Sequence, residues 1–260
     1  MFRRLPILLL LSLSALSALA QTPEEKGLAI AIESDKRDRG FADLTVNLEM
    51  VLKNRHGEES RRKIRVSTFE VANDGDKGLT IFDEPADVKG TALLTFSHKT
   101  VDDDQWLYLP ALARVKRISS ANKSGSFMGS EFAYEDIGSQ EIEKYKHKYI
   151  RDEIHEGKPV FVTERYPVSP HSGYTREVVW LDQEHYRAWK IEYYDRKQTL
   201  LKTLTWKDYR QYLNKYWRAD EMFMQNHQTG KSTLLRWSNY KFRTGLKDSD
   251  FTEASLKRAR

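Results

Sequence analysis

The 260-residue sequence contains no cysteine. Disulfide scaffolds, thiolate zinc sites, iron–sulfur clusters and a cysteine nucleophile are excluded together. Glycine and proline are sparse, at 13 and 7 residues, and 31% of residues are charged, which excludes low-complexity disorder and a collagen-like repeat. After the first twenty residues no apolar run is long enough to cross a bilayer as a helix. Chemical motifs are equally scarce. His56, His98, His147, His155, His171, His185 and His227 show neither His-x-His nor His-Glu-x-x-His spacing. His98 stands near Asp102, Asp103 and Asp104, which reads more readily as an acidic turn than as a hard-metal site. Asn73-Asp74-Gly75-Asp76 lacks the later acidic ligands of a calcium loop and reads as a tight turn. Ser169-Pro170-His171-Ser172-Gly173 has the residue types of serine chemistry without a nucleophile elbow. No Walker-type phosphate loop occurs, and spacing alone does not bring Glu131 and Glu135 together for acid–base work. The expected class is not an enzyme, and no cofactor or metal is expected.

What is present begins with an address. Phe2-Arg3-Arg4 is a short basic region, the stretch up to Ala20 is almost wholly apolar or small, and Ala18 and Ala20 suit a signal peptidase. Residues 1–20 therefore read as a secretory signal peptide cleaved after Ala20. Gln21 stands where a lipoprotein signal needs cysteine, so no lipid anchor is expected. The mature chain, 21–260, is expected to be exported, soluble and one domain. Loss of Arg3 and Arg4 lowers the formal net charge from +5 to +3. A mildly basic exported protein meets anionic lipid headgroups rather than nucleic acid, at about 1 kcal/mol per nearby Lys or Arg.

Residues 23–40 predict a helix: Pro23 suits the first turn, Glu24 and Glu25 the positive end, Gly40 the stop. Leu28, Ile32, Ala29 and Ala31 form its small apolar face. The period then changes to two. Val46, Leu48, Met50 and Leu52 alternate with polar residues, Asn54-Arg55-His56-Gly57 makes a turn, and Ile64 and Val66 alternate with Lys63, Arg65 and Ser67. That pattern predicts a hairpin with one wet face. Further strands are predicted over 79–82, 91–98, 105–109 and 115–119. Six more are predicted over 159–166, 173–181, 187–194, 200–212, 217–226 and 232–242. Residues 139–150 are the main helical candidate between the two halves, and 251–256 a short closing helix. Regular strands joined by short turns imply a mostly β, antiparallel meander.

Large apolar groups recur on one face of the later strands: Trp189, Ile191 and Tyr193; Leu204 and Trp206; Met222 and Met224; Leu235 and Trp237. Two readings stay open. These residues are ordinary core, or the broad sheet curls and its concave side holds an apolar ligand against adaptable Trp, Tyr and Met walls. Residues 106–137 pose the same choice. Trp106 and Tyr108 lie on a strand, Arg114, Lys116 and Arg117 follow, and Phe127, Met128 and Phe132 sit in a Gly/Ser-rich loop. The loop is either a mobile lid with cations at the mouth or a segment packed on the sheet. On the ligand reading, the cavity and lid residues are Trp106, Tyr108, Phe127, Met128, Phe132, Trp189, Tyr193, Trp206, Met222 and Met224. Headgroup or partner contact falls to Arg114, Lys116 and Arg117.

Several segments carry a family resemblance. They are Lys89-Gly90-Thr91-Ala92, Trp106-Leu107-Tyr108-Leu109-Pro110, Arg114-Val115-Lys116-Arg117-Ile118 and Phe127-Met128-Gly129-Ser130 with Tyr134-Glu135-Asp136. Val179-Trp180, Glu192-Tyr193-Tyr194-Asp195, Leu200 to Leu204, Gly230-Lys231-Ser232-Thr233 and Asp250-Phe251-Thr252 continue it. Together they resemble the outer-membrane lipoprotein-sorting protein family, relatives of the periplasmic lipoprotein carrier, over nearly the whole mature chain. The resemblance implies an incomplete antiparallel β-barrel with a few helices as plug or lid over an apolar cavity. It also implies a monomeric periplasmic carrier of lipid or acylated lipoprotein. The partners it implies are an inner-membrane exporter of the resistance–nodulation–division type or an outer-membrane acceptor. Two rivals remain: an accessory subunit docked on such an exporter without carrying lipid, and a hydrolase acting on lipid.

Overall fold

A computed structural model describes residues 21–258. The expected signal peptide and its cleavage site lie outside these residues. The chain opens with helix α1 (Pro23–Asp38) and continues through six strands: β1 (Asp43–Lys53), β2 (Glu59–Phe69), β3 (Lys77–Glu84), β4 (Ala92–Phe96), β5 (Asp104–Leu109) and β6 (Arg114–Ile118). After a long connection come β7 (Tyr145–His155), β8 (Lys158–Pro167), β9 (Tyr174–Asp182), β10 (Ala188–Asp195), β11 (Leu200–Tyr212), β12 (Tyr216–Asn226) and β13 (Ser232–Phe242), then helix α2 (Glu253–Arg258). All thirteen strands form one antiparallel sheet in the order β6-β5-β4-β3-β2-β1-β13-β12-β11-β10-β9-β8-β7. Two meanders are thus zipped together where β1 pairs with β13, at Met50 opposite Leu235. Both free edges, β6 and β7, stay unpaired, so the sheet does not close into a barrel.

The predicted hairpins, the first helix and the short closing helix are present. One element differs. Residues 139–150 form a single helical turn at Ile142–Lys144 and then enter β7. Their Glu and Lys residues favour helix only weakly, and a ladder with β8 running from Tyr145–Pro167 to His155–Lys158 overrides that preference.

Helix α1 starts with a capping box. The Thr22 N–H donates to Glu25 Oε2 at 2.9 Å, and the Glu25 N–H donates to Thr22 Oγ1 at 3.1 Å. The helix lies against β7, but with a different face from the expected one. Gly27 and Ile30 are buried, whereas Leu28 and Ile32 face outward, 42% and 48% exposed. The reason is a backbone contact. A methyl group added at Gly27 would stand 2.6 Å from the Lys148 carbonyl carbon and the Tyr149 nitrogen. Only glycine lets the helix come this close, and that fixes which side of α1 meets the sheet.

The sheet carries a core on each face. On the concave side Leu48, Met50, Phe82, Leu93, Tyr193, Leu204, Met224 and Leu235 pack with Ile30 of α1. On the convex side α2 and Phe251 cover Ala92 and Leu94, with Trp106 and Tyr108 packed alongside. Trp106 and Tyr108 therefore stand on the opposite face from the other aromatic candidates, because strand side chains alternate.

Candidate functional site

The long connection after β6 fills the middle of the concave face. Residues 125–134 fold back on themselves, with the Phe127 N–H donating to the Phe132 carbonyl at 2.7 Å and the Tyr134 N–H to the Gly125 carbonyl at 3.0 Å. Met128 and Gly129 take left-handed backbone angles at the tip. Phe127 and Phe132 are buried, and Phe127 meets Phe82 with ring centroids 5.8 Å apart. Of the two readings of this loop, the packed one holds.

A buried polar network fastens this plug to β9, β11, β12 and β13. Lys202 Nζ donates to the Glu131 carbonyl at 2.9 Å and to Asp136 Oδ2 at 2.7 Å. The Tyr174 hydroxyl donates to Asp136 Oδ1 at 2.9 Å. Asn226 Nδ2 donates to Glu131 Oε2 at 2.6 Å, and the Glu131 N–H donates to Thr233 Oγ1 at 2.9 Å. From β2, Arg62 donates to the Met128 carbonyl. Glu131 thus has a structural partner set. Glu135 likewise accepts from the Ser172 hydroxyl and the Gly173 N–H at 2.8 Å each, and burial raises its pKa.

On the same side of the sheet, beside Asp38 at the end of α1 and residues 137–139, a cavity of about 470 Å³ remains. Its apolar wall includes Val46, Val66, Trp206, Met222, Trp237 and Tyr240. The indole N–H of Trp237 is buried and has no hydrogen-bond partner among the described residues. An unmatched buried donor costs about 1–3 kcal/mol.

Local backbone irregularities shape the wall. Asp208 sits at φ +56° inside β11 and Asn239 at φ +58° inside β13, where Asn239 and Tyr240 together oppose Val46 at a bulge. The bulge shifts the alternation of β13 by one residue, so Trp237 and Tyr240 face the same cavity. β11 keeps its register with β12 across Asp208, and Trp206 and Tyr209 on either side of that residue line the cavity too. Strict alternation would turn Tyr209 and Tyr240 outward, and sequence reasoning missed both. The available signal was an Asp and an Asn, the residues most tolerant of left-handed backbone, inside aromatic strands.

A second cavity of about 310 Å³ lies beneath α1. It shares Asp38, Phe41, Asp76 and Ser139 with the first. Its wall is acidic, with Asp35, Glu70, Asp74 and Glu141 added against Arg39 and Arg165. Asp76 is pushed up to about 7, first by burial and further by Glu141, Glu70 and Asp38 nearby. A raised carboxyl pKa opposes folding once the group ionises. The stability it withholds grows as pH rises from about 4, the unfolded value, to about 7, and is constant above. Asp76→Asn is therefore expected to stabilise the protein at pH 8 and to leave it nearly unchanged at pH 4, by up to about 4 kcal/mol across that window. Thermal unfolding of both proteins at several pH values measures it. A pH-independent gap would mean that Asp76 is ionised throughout.

The candidates named from sequence do not form one site. Trp206 and Met222 line the larger cavity. Tyr193 and Met224 lie beneath the plug as core, and Phe127, Met128 and Phe132 belong to the plug. Trp106 and Tyr108 are on the convex face. Trp189 lines neither cavity; its indole N–H donates to Asp182 Oδ2 at 3.0 Å, and its ring stands 5.2 Å from that of Tyr209. Arg114, Lys116 and Arg117 are exposed on the edge strand β6. Arg114 and Lys116 share the face of Ile118, whereas Arg117 points to the other face and pairs with Asp104. The acidic group at His98 proves to be a set of ion pairs: Asp74 and Asp104 flank the imidazole, Lys123 meets Asp102 and Lys144 meets Asp103. Burial works against the charged imidazole, but the two carboxylates raise its pKa above the ordinary value. Among the described residues no cluster of three His, Asp or Glu side chains could hold a metal ion.

An open antiparallel half-barrel, plugged on its concave side and left with an apolar cavity, defines the class of this protein. Comparison with known proteins names the family. A crystal structure described as an outer membrane lipoprotein-sorting protein domain, from Vibrio parahaemolyticus, is 59% identical with a TM-score of 0.89, over 90% of this chain and 100% of that one. A DUF1329 family protein from Desulfovibrio piger is 29% identical with a TM-score of 0.86, over 90% and 99%. A LolA superfamily protein from Nitrosomonas europaea, 22% identical over 88% and 98%, shares the fold with a TM-score of 0.71. A family model described only as "-like: Uncharacterized protein" matches residues 74–258. No curated protein matches. The chain belongs to the outer membrane lipoprotein-sorting protein family.

Proposed function

We propose that this protein is a periplasmic carrier that shields the acyl part of a lipid or of a lipid-modified protein during transfer toward the outer membrane, and that it is not an enzyme. The observation that carries the reading is the apolar cavity of about 470 Å³ bounded by Trp206, Met222 and Trp237, which neither α1 nor the plug fills. Its size falls within the range of ligand sites, about 300–1,000 Å³. Each methylene group moved from water into such a wall gains about 0.8 kcal/mol. An ester or amide carbonyl on the cargo would also give the Trp237 N–H the acceptor it lacks. The 59% identical lipoprotein-sorting domain supports the same reading.

The test is to purify the exported protein, extract it with organic solvent and identify what came with it by mass spectrometry, then to titrate the emptied protein with a fluorescent fatty acid. A stoichiometric lipid or acylated peptide, with saturable uptake, is expected. An empty protein that takes up no probe would overturn the carrier reading.

On this reading the open edge β6 faces the membrane or a protein partner, and Arg114, Lys116 and Arg117 supply its charge. Reversing all three to Glu is expected to weaken cosedimentation with phosphatidylglycerol vesicles at least about tenfold, from about 1 kcal/mol per residue. Unchanged cosedimentation would remove that role. The two unpaired edges also favour a second reading, a subunit that docks on an exporter by strand addition and carries nothing. Recovery with a membrane complex and without lipid would support it.

A further inference from the structure

At the C-terminal end of α1 lies a third hollow, about 460 Å³ and open to solvent, which nothing above assigns. Its wall has the opposite charge from the cavity beneath the helix. Arg37, Arg187, Lys215 and Arg218 line it against a single carboxylate, Asp38. The rest of the wall mixes the rings of Tyr186, Tyr209 and Trp217 with polar Ser34, Gln211 and Asn214. The Arg187 guanidinium lies 4.3 Å from the Trp217 ring centroid and 5.1 Å from that of Tyr209. Its Nε donates to Asp182 Oδ2 at 2.8 Å, and no hydrogen bond engages its terminal nitrogens among the described residues. Arg218 is held by Asp38 at 2.5 Å, Arg37 by Glu33 at 2.8 Å, and Lys215 donates to the Arg39 carbonyl. These contacts fix the cations in place while leaving the wall a net excess of positive charge.

The hollow adjoins the apolar cavity. Asp38, Tyr209, Trp217 and Arg218 belong to the walls of both. The apolar cavity thus has two polar neighbours, an acidic one under α1 and a basic one at its end. An amphiphile whose chain lies against Trp206, Met222 and Trp237 can place a charged head in either, and an anion is repelled from the first and held by the second. Planar guanidinium groups match the oxygens of a phosphate.

We propose that the hollow formed by Arg37, Arg187, Lys215 and Arg218 is the headgroup subsite of the apolar cavity, and that it selects amphiphiles bearing a phosphate. The proposal rests on the carrier reading and narrows its cargo. The three Trp residues lining the two sites, Trp206, Trp217 and Trp237, provide the signal for a test.

The emptied full-length protein is titrated with palmitoyl lysophosphatidic acid, with monopalmitoyl glycerol, which is the same molecule without the phosphate, and with inorganic phosphate. The lysophosphatidic acid is expected to bind at least tenfold tighter than the neutral ester, with a preference that shrinks as salt is raised. Arg37→Glu/Lys215→Glu is expected to abolish that preference while leaving the neutral ester's affinity unchanged. Both residues are exposed. Arg187→Lys, which keeps the charge and loses the fork, should reduce the preference by an intermediate factor and guards against misfolding of the double variant. Equal binding of the two palmitoyl compounds would overturn the headgroup subsite and leave the carrier reading standing. Binding of neither would overturn both. Inorganic phosphate binding as tightly as lysophosphatidic acid, with no uptake of the neutral ester, would mark a free-phosphate site and overturn the proposal.

Discussion

Lys202→Met is expected to destabilise the protein by about 3–5 kcal/mol, the cost of leaving one partner of a buried ion pair unmatched. The side chains of Lys202 and Asp136 are 4% and 7% exposed. Removing the ammonium group leaves the Asp136 carboxylate buried, with the Tyr174 hydroxyl and the backbone N–H of Ala133 as its remaining partners. It also frees the Glu131 carbonyl, which Lys202 ties to the sheet. The plug then loses its attachment to β11, and the rings of Phe127 and Phe132 are expected to become more exposed to water. Chemical denaturation followed by circular dichroism measures the loss, and a hydrophobic dye reports the exposed rings. Lys202→Met/Asp136→Asn is expected to recover most of the stability, because Asn keeps an acceptor for Tyr174 and carries no charge. A loss below about 1 kcal/mol in the single variant, the level of a surface pair, would show that the plug is held by its apolar contacts and its remaining hydrogen bonds without need of Lys202.

The second large effect concerns the cavity. Ala219→Trp places an indole in the space bounded by Met222, Trp237 and Tyr240. Ala219 is buried, so the larger side chain has little route outward. Uptake of a fluorescent fatty acid should fall at least about tenfold, equivalent to about 1.4 kcal/mol of lost binding. Overpacking is expected to destabilise the fold by about 1–3 kcal/mol. A companion variant, Met222→Glu, leaves the volume almost unchanged and makes the wall charged. It should reduce uptake to a similar degree, because an acyl chain offers a carboxylate no partner. Full uptake by both variants would place the ligand elsewhere.

The two effects locate the parts of the molecule that pattern reading reached and those it did not. The period-two runs around Val46 and Ile64 and the long later strands predicted the meander correctly, because an antiparallel sheet with one wet face alternates residue by residue. The same rule failed where the backbone breaks it. Tyr240 enters the cavity at the bulge that includes Asn239, and Tyr209 follows Asp208, a residue at positive φ inside β11. Residues 139–150 carry helix-favouring side chains, yet beyond one turn at Ile142–Lys144 they enter strand β7, because the ladder with β8 and the backbone of α1 at Gly27 both demand an extended chain from Tyr145 onward. Phe127 and Phe132 had the composition of either a lid or a plug. The choice was made by Lys202, Asn226 and Thr233, which lie about 70 to 100 residues further along the chain.

By itself the sequence determined the absence of thiol chemistry, the run of antiparallel strands, the first helix and the family resemblance. Each of these rests on local composition, periodicity or motif. Tertiary structure alone decided which face each aromatic residue serves. It put Trp106 on the convex side, Trp206 in the cavity and Trp189 beside a salt-bridged arginine. It also decided that the cavity has an acidic neighbour and a basic one. Arg37 and Arg218 are far apart in the chain and meet only because α1 lies across the strands that carry the second. Charge is local in sequence, but the field at a site is summed over whatever the fold brings near it.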